Sequence, residues 1–190
     1  AVTISGYTTY KGEAMAMGER TPLALINAAA SGRMAVAESL TNILSADVQK
    51  LNDIKLSANW MAACGVEGED ADLFDTVKAV GMEFCPALGI SIPVGKDSMS
   101  MRTTLQGSSR RTNAVVAPRS LLITEFSPVN DVRKTITPEL KLSSSKADIY
   151  VFEVTGKARL GASCLGQVYN QNGNDNPDVE SAEIFKQFLN

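Results

Sequence analysis

The longest regular pattern of apolar residues runs from Pro22 to Ser45 and predicts an amphipathic helix. Thr21 is available as its N-cap, and Pro22 suits the first helical position. At 100° per residue, one apolar stripe follows the helix, formed by Leu23, Ile26, Ala30, Ala37, Leu40 and Leu44. A second strip, about 130° away, carries Ser31, Ala35, Glu38, Asn42 and Ser45. We therefore expect one face in a core and another that presents small and polar groups, including a carboxylate.

Beyond this helix the pattern changes repeatedly between strand and helix. Apolar and polar side chains alternate over Asp53–Met61, as in a half-buried strand, and helical spacing returns over Asp70–Leu88. Gly65 and Gly68 mark the loop between them, and Gly89 is placed to end the second helix. Further strands are predicted at Ile90–Val94 and Ser120–Phe126, a loop at Gln106–Asn113 and a short helix or turn at Asp131–Lys134. A helix that follows a strand indicates an α/β layered unit.

A stretch of linker composition, Leu142–Lys146, predicts a domain boundary within residues 141–147. The first unit then covers residues 1–141 and the second residues 147–190. Beyond the boundary the pattern predicts a strand at Ile149–Val154, a helical stretch around Leu160–Tyr169 and a closing helix near Ser181–Leu189. The second unit is too short for a core of its own, so we expect it to be incomplete and the chain to be cut short.

Composition narrows the classes of function. The chain has 190 residues, 44% of them hydrophobic, which is ample for a buried core. Its 18 Lys+Arg and 21 Asp+Glu residues give a net charge of −3 without long charged blocks, which argues against a nucleic-acid or membrane-binding face. No apolar run approaches the ~20 residues needed to cross a bilayer, and the first residues lack signal-peptide features. We expect a cytoplasmic protein, with Cys64, Cys85 and Cys164 as small buried hydrophobes.

The chain contains no histidine, which removes the commonest general base and most zinc sites. Any chemistry must therefore use carboxylates, lysine, backbone amides and bound magnesium. Glu38 and Asn42 stand one helical turn apart, where a carboxylate and an amide oxygen could both reach Mg²⁺. On spacing alone, a solvated surface pair is the commoner explanation.

Two glycine-containing stretches are further candidates for phosphate binding. Gly95-Lys96-Asp97-Ser98 follows a predicted strand, but its spacing from Gly89 and the acidic residue at position 97 do not match the Walker P-loop, and a hairpin without a ligand is the alternative. Glu19 and Arg20 enter the first helix, where backbone amides attract anions; a plain helix-entry loop is the alternative there. We expect the polar strip of the helix and the glycine turn at Gly95 to converge on one pocket for a magnesium-bearing phosphate.

Several longer motifs resemble, in order, the second half of the synthetase region of the large phosphoribosylformylglycinamidine synthases (FGAR amidotransferases). They are residues 12–22, 37–42, 55–61, 68–70 and 93–101, with a weaker likeness at Leu160-Gly161-Ala162-Ser163. The resemblance implies an α/β (α+β) fold: an aminoimidazole-ribonucleotide-synthetase-like N-terminal-type unit with a mixed sheet and packed helices, plus a truncated start of the C-terminal-type unit. It also implies ATP- and Mg²⁺-dependent conversion of formylglycinamide ribonucleotide, with ammonia from glutamine, to formylglycinamidine ribonucleotide in purine synthesis.

The resemblance also assigns residues. It implies that Glu38 and Asn42 ligate Mg²⁺ on a bound ATP or ADP, which is structural in this half of the enzyme. It assigns Gly95, Lys96, Asp97 and Ser98 to a loop that faces the nucleotide or the substrate phosphate. Glu19 and Arg20 join them as candidates for the nucleotide or phosphate from their place at the helix entry. The glutaminase domain and the catalytic histidine of the first half fall outside this sequence, so we expect no catalytic residue here and an inactive isolated chain.

The implied partners are the remainder of the same enzyme and formylglycinamide ribonucleotide. In their absence we expect a homodimer formed through the sheet, because an unpaired apolar strand edge promotes association. A stand-alone Mg-nucleotide-binding module of the same superfamily is the alternative, and tight Mg-ATP binding by the isolated chain would favour it. A kinase of the selenophosphate or thiamine-phosphate type fits less well, because Gly95–Ser98 departs from the acidic motifs expected there.

Overall fold

A computed structural model describes residues 1–106, 112–140, 148–154 and 157–190, with Gln106 and Thr112 described by their backbone only. Its centre is a mixed five-stranded sheet in the order β1-β2-β7-β3-β4. All neighbouring strands are antiparallel except β3 and β4, which are parallel. The five strands are β1 (Val2–Ile4), β2 (Gly12–Glu19), β3 (Lys55–Met61), β4 (Ser91–Ser98) and β7 (Ser120–Val129). A separate antiparallel pair consists of β5 (Arg102–Gln106) and β6 (Thr112–Val116).

The helices pack on one face of the sheet. Helix α2 (Ala28–Ile43) contacts β2 and β7 directly, and the segment that follows β3 packs against α2 as well. The helices are α1 (Thr21–Ala24), α2 (Ala28–Ile43), α3 (Glu69–Val77), α4 (Cys85–Leu88), α5 (Cys164–Val168) and α6 (Ala182–Leu189), with a π-helix at Lys78–Phe84 and 3₁₀ turns at Leu51–Asp53 and Val132–Lys134. This mixed sheet with packed helices confirms the predicted fold class. Among the described residues, no helix combines the length and the apolar character needed to cross a bilayer.

The single helix predicted over Pro22–Ser45 is broken in two. Asn27 caps the N-terminus of α2 because its side chain accepts a hydrogen bond from the backbone N–H of Ala30 at 2.9 Å, a contact typically worth about 1 kcal/mol. Thr21 was expected to be the N-cap but is the first residue of α1. Because α2 packs against both the sheet and the α3 segment, its predicted polar strip is also partly wrong: Ser31 and Ala35 are buried.

The largest correction concerns Gly12–Glu19: no strand was expected here, and a helix-entry loop was the alternative considered at Glu19, but the segment is a strand paired with β7 over its whole length. The small residues Ala14, Ala16 and Gly18 point toward the helices, and the longer side chains between them point to the other side. An alternation of short and long side chains with a period of two residues is typical of a β-strand. Its small residues leave room for α2 to approach the sheet.

The side of the sheet opposite the helices, here called the open face, carries every second residue of each strand. Pairing in register places four residues in one row across it: Glu19, Leu122, Asn59 and Lys96. Several apolar side chains on the open face are about half exposed, namely Met15 at 43%, Met17 at 51%, Phe126 at 46% and Val94 at 60%. The open face therefore combines polar and charged side chains with apolar ones that remain about half exposed.

The second half of the chain follows its predictions in part. The helical region over Asp70–Leu88 and its end at Gly89, in the left-handed region with φ of 77°, are confirmed, although the π-helix in its middle was not predicted. Helix α6 is also confirmed, with Ser181 as its N-cap. The strand predicted at Ile149–Val154 is wrong, because the described residues offer it no partner strand and its apolar side chains are exposed.

The predicted domain boundary and most of one predicted loop fall on residues that the structure does not describe, and the prediction for the cysteines needs a correction. The predicted linker and domain boundary within residues 141–147 lie outside the described residues. So do residues 107–111 of the loop predicted at 106–113, and the other residues of that loop belong to β5 and β6. The three cysteines are free, but only Cys85 is fully buried and Cys164 is exposed, which corrects the expectation that all three are buried.

Candidate functional site

Glu38 reaches the end of β2 because α2 packs unusually close to that strand. A Cβ atom built on Gly18 would overlap the backbone oxygen of Ala35 and lie 2.6 Å from the backbone nitrogen of Ser39. Only glycine allows this approach. The close packing places Glu38 beside the last residue of β2, where the chain turns from strand to helix.

The Glu38 carboxylate holds that turn. Its Oε2 accepts a hydrogen bond from the backbone N–H of Glu19 at 2.9 Å, and its Oε1 lies 3.9 Å from the guanidinium of Arg20. About a third of each of the Glu38 and Arg20 side chains is exposed, so the pair is open to solvent on one side. Glu38 and the helix-entry residues Glu19 and Arg20, which were separate candidates in the sequence, therefore form one cluster.

Asn42, one turn along α2, contacts the same strand. Its Nδ2 donates to the backbone oxygen of Met17 at 2.9 Å, which leaves its Oδ1 for another partner. Carboxylate and amide oxygens are the ligands that Mg²⁺ prefers, and Mg²⁺ on a nucleotide takes most of its other ligands from phosphate and water. No cluster of three or more Cys, Asp or Glu side chains suited to a metal occurs among the described residues. Glu38 and Asn42 are thus two oxygen ligands of the types that could hold Mg²⁺ together with ligands from another molecule.

Two residues that were not singled out as site residues also belong to this cluster. The Thr21 hydroxyl donates to Glu19 Oε1 at 2.6 Å and lies 2.9 Å from the hydroxyl of Ser120, at the start of β7. Thr21 thereby links the beginning of α1 to the neighbouring strand. The Thr-Pro helix start was visible in the sequence, whereas the approach of Ser120 depends on strand pairing between distant segments.

Gly95–Ser98 does not form the expected glycine turn. These residues are the second half of β4, paired with Ala58–Met61 of β3. A Cβ atom on Gly95 would lie 2.5 Å from the backbone oxygen of Ala58, so strand packing accounts for this glycine. Lys96 lies on the open face, where its Nζ donates to the Ser98 hydroxyl at 2.7 Å.

The expected single pocket is therefore wrong for this chain. Lys96 and Glu19 occupy the same row of the sheet with two strands between them, a separation of about 14 Å at 4.8 Å per strand. Glu38 belongs to the helical layer on the other side of the sheet. The structure brings together Glu19, Arg20, Glu38 and Asn42, and it leaves Lys96 and its neighbours as a second, separate group.

Comparison with solved structures shows the same architecture. The chain is similar to Thermotoga maritima PurL complexed with ATP (21% identity, TM-score 0.52) and to the same protein complexed with AMPPCP (22% identity, TM-score 0.53). Each comparison covers 73% of this chain and 21% of the PurL chain. The chain thus spans about a fifth of the length of these solved proteins and shares the fold of that part.

A family model agrees with the structural comparison. The model of the FGAR-AT PurM_N-like domain matches residues 1–128. This range contains α1 to α4 and the five strands of the central sheet, except for the last residue of β7. Since this match covers well over half of the 190 residues, the chain belongs to the family of FGAR-AT PurM_N-like domains.

Proposed function

We propose that this chain supplies one nucleotide-binding half of the synthetase region of a phosphoribosylformylglycinamidine synthase. That enzyme would convert formylglycinamide ribonucleotide, ATP and glutamine-derived ammonia to formylglycinamidine ribonucleotide, with the remainder of the enzyme supplying glutamine hydrolysis and the catalytic histidine. Membership of the FGAR-AT family and the likeness to PurL bound to ATP, AMPPCP and ADP support this function. The observation that carries it is the meeting of Glu38, Asn42 and Arg20 at the end of β2.

In this proposal Glu38 and the Asn42 amide oxygen hold Mg²⁺ on ATP or ADP, and Arg20 faces the phosphates. When bound, the metal neutralises phosphate charge. Glu38 already receives the Glu19 N–H through one oxygen, and a carboxylate has lone pairs for a metal in addition. Glu19 Oε1 already accepts a hydrogen bond from the Thr21 hydroxyl, which would reduce its repulsion of a bound anion.

The second group, Gly95–Ser98, receives a different role. Lys96 and Ser98 are on the open face, about 14 Å from Glu19, so they cannot share one phosphate with Glu38 in this chain. We assign them to the phosphate of the substrate, on the side where another part of the enzyme would pack. Asp97 and Gly95 then maintain the strand that presents Lys96.

Replacing Glu38 with glutamine tests the metal assignment. We expect the E38Q chain to bind Mg-ADP at least about tenfold more weakly than the wild type, a loss of about 1.4 kcal/mol, because an amide is a poorer Mg²⁺ ligand than a carboxylate. In EDTA the two chains should bind ADP equally. Isothermal titration calorimetry measures both conditions, with circular dichroism as a check on folding.

The matched control is E13Q, which changes an exposed glutamate on the open face of β2, the strand whose last residue Glu38 contacts. It should leave the affinity for Mg-ADP unchanged. Equal Mg-ADP affinities for the wild type and E38Q would reject the assignment of Glu38.

We also propose that the isolated chain forms a homodimer through the open face, because Met17 and Phe126 expose about half of their apolar surface there. Light scattering should give twice the chain mass for the wild type and a monomer for M17E, since a charge at the centre of a dimer interface is strongly destabilising. The control M82E changes a methionine that is 74% exposed on the helical side and should remain dimeric. A monomeric wild type would contradict the proposal.

A further inference from the structure

A glutamate lies in the centre of the molecule. Glu125 is in the middle of β7, the central strand of the sheet, and is 0% exposed. Its pairing partners are Ala16 of β2 and Leu56 of β3, and its side chain points toward α2. The proposed nucleotide site makes no use of this carboxyl group.

The hydrogen bonds around Glu125 suit a protonated acid better than a carboxylate. Its Oε2 lies 3.3 Å from the Ser39 hydroxyl, whose oxygen is 2.9 Å from the backbone oxygen of Val36, and its Oε1 is buried without a partner. Ser39 has one hydroxyl hydrogen for two acceptors. If Glu125 is protonated it donates to Ser39, and Ser39 donates to Val36, so that each hydrogen has an acceptor.

No described cation compensates a charge at this position. Among the charged residues of the elements packed against Glu125, Glu13, Glu19 and Lys55 have side chains on the open face, and Arg33 is paired with Asp178. The remaining one, Glu38 of α2, contacts the Glu19 N–H and Arg20. Burial raises the pKa of Glu125 to about 8, and the Ser39 hydrogen bond offsets only part of this effect.

We propose that Glu125 is a pH-sensitive contact between α2 and the sheet: as a neutral acid it completes the hydrogen-bond chain to Ser39 and Val36, and as a carboxylate it loosens the packing of α2. The inference concerns how α2 is held, and it stands whether or not Glu38 binds a metal. A carboxylate without a cation in a dry helix–sheet interface must either take up a proton or draw in water, and both alternatives depend on pH.

The direction of the pH effect follows from which state keeps the proton. An unfolded glutamate loses its proton near its ordinary pKa of 4.5, whereas the folded chain keeps it until about pH 8. Between these values the folded state binds more protons than the unfolded state. Stability is therefore highest in mild acid, falls as pH rises to about 8, and levels off above that pH.

The variant E125Q tests this directly, because the glutamine amide can donate the same hydrogen bond to Ser39 but does not ionise. Urea unfolding of wild type and E125Q is measured from pH 5 to pH 9. We expect the unfolding equilibrium constant of the wild type, divided by that of E125Q, to rise about tenfold per pH unit up to about pH 8, because only the wild type loses stability through this group. The control E13Q, exposed on β2, should run parallel to the wild type.

Two further measurements keep the test decisive if E125Q folds poorly. In the wild type, carbon-13 NMR should show one glutamate carboxyl that titrates well above pH 6, and hydrogen exchange of the α2 amides, corrected for intrinsic rates, should lose protection over the same range. A Glu125 resonance that titrates near 4.5, or wild-type and E125Q profiles that coincide, would overturn the proposal.

Discussion

Replacing Gly18 with alanine should destabilise the chain by at least about 3 kcal/mol, and in the cell it should leave little folded protein. The added Cβ would overlap the backbone oxygen of Ala35 and lie 2.6 Å from the backbone nitrogen of Ser39. Neither atom is the end of a flexible side chain, so α2 must move away from β2 as a unit. Urea unfolding followed by circular dichroism measures the loss.

The matched control is Gly81→Ala, the same substitution on the outer surface of the π-helix, where an added Cβ has nothing within 4 Å. Because alanine favours helical backbone over glycine by about 1 kcal/mol, this variant should be as stable as the wild type or more so. If G18A proved as stable as G81A, the close packing of α2 on β2 would be wrong.

The same packing connects stability to the proposed site. Displacement of α2 would carry Glu38 away from the Glu19 N–H and Asn42 away from the Met17 oxygen. Any folded fraction of G18A should therefore also bind Mg-ADP more weakly than the wild type. In this fold a glycine with no polar side chain positions two candidate metal ligands.

Sequence patterns predicted the elements whose signals are local. Gly89 ends its helix with a left-handed backbone conformation, and Ser181 caps α6 because its side chain accepts a hydrogen bond from the Ile184 N–H. Both depend on a few neighbouring residues. The grouping of Glu38 with Arg20 has no such local signal, because Arg20 precedes α1, Glu38 lies in the second half of α2, and the two meet only where α2 packs on the end of β2.

The errors have non-local causes. Gly12–Glu19 is a strand because β7, more than a hundred residues later, pairs with it in full register. Ile149–Val154 has strand propensity, but no strand pairs with it among the described residues, and propensity without strand pairing does not make a sheet. Lys96 was placed in the same pocket as Glu38 because strand order across the sheet cannot be read from spacing along the chain.

Replacing Phe185 with alanine should cost about 3 to 5 kcal/mol, and it tests whether α6 belongs to the core of the first unit. Phe185 is 2% exposed, and its ring stacks on Phe84 and Phe188, each at 6.1 Å between centroids. Loss of the ring would open a cavity next to Leu88 of α4, which is in the same core. Urea unfolding should show one cooperative transition shifted to lower urea.

Phe74→Ala is the matched control, because Phe74 is 65% exposed on α3 and its loss should change stability by less than about 0.5 kcal/mol. If α6 belonged to an independent second unit, F185A would instead leave the main transition in place and add a separate early one. A single shifted transition would mean that the predicted boundary within residues 141–147 separates segments of sequence but not folding units. The C-terminal residues would then stabilise the helical layer that holds Glu38, through Phe185 and through the ion pair between Arg33 and Asp178.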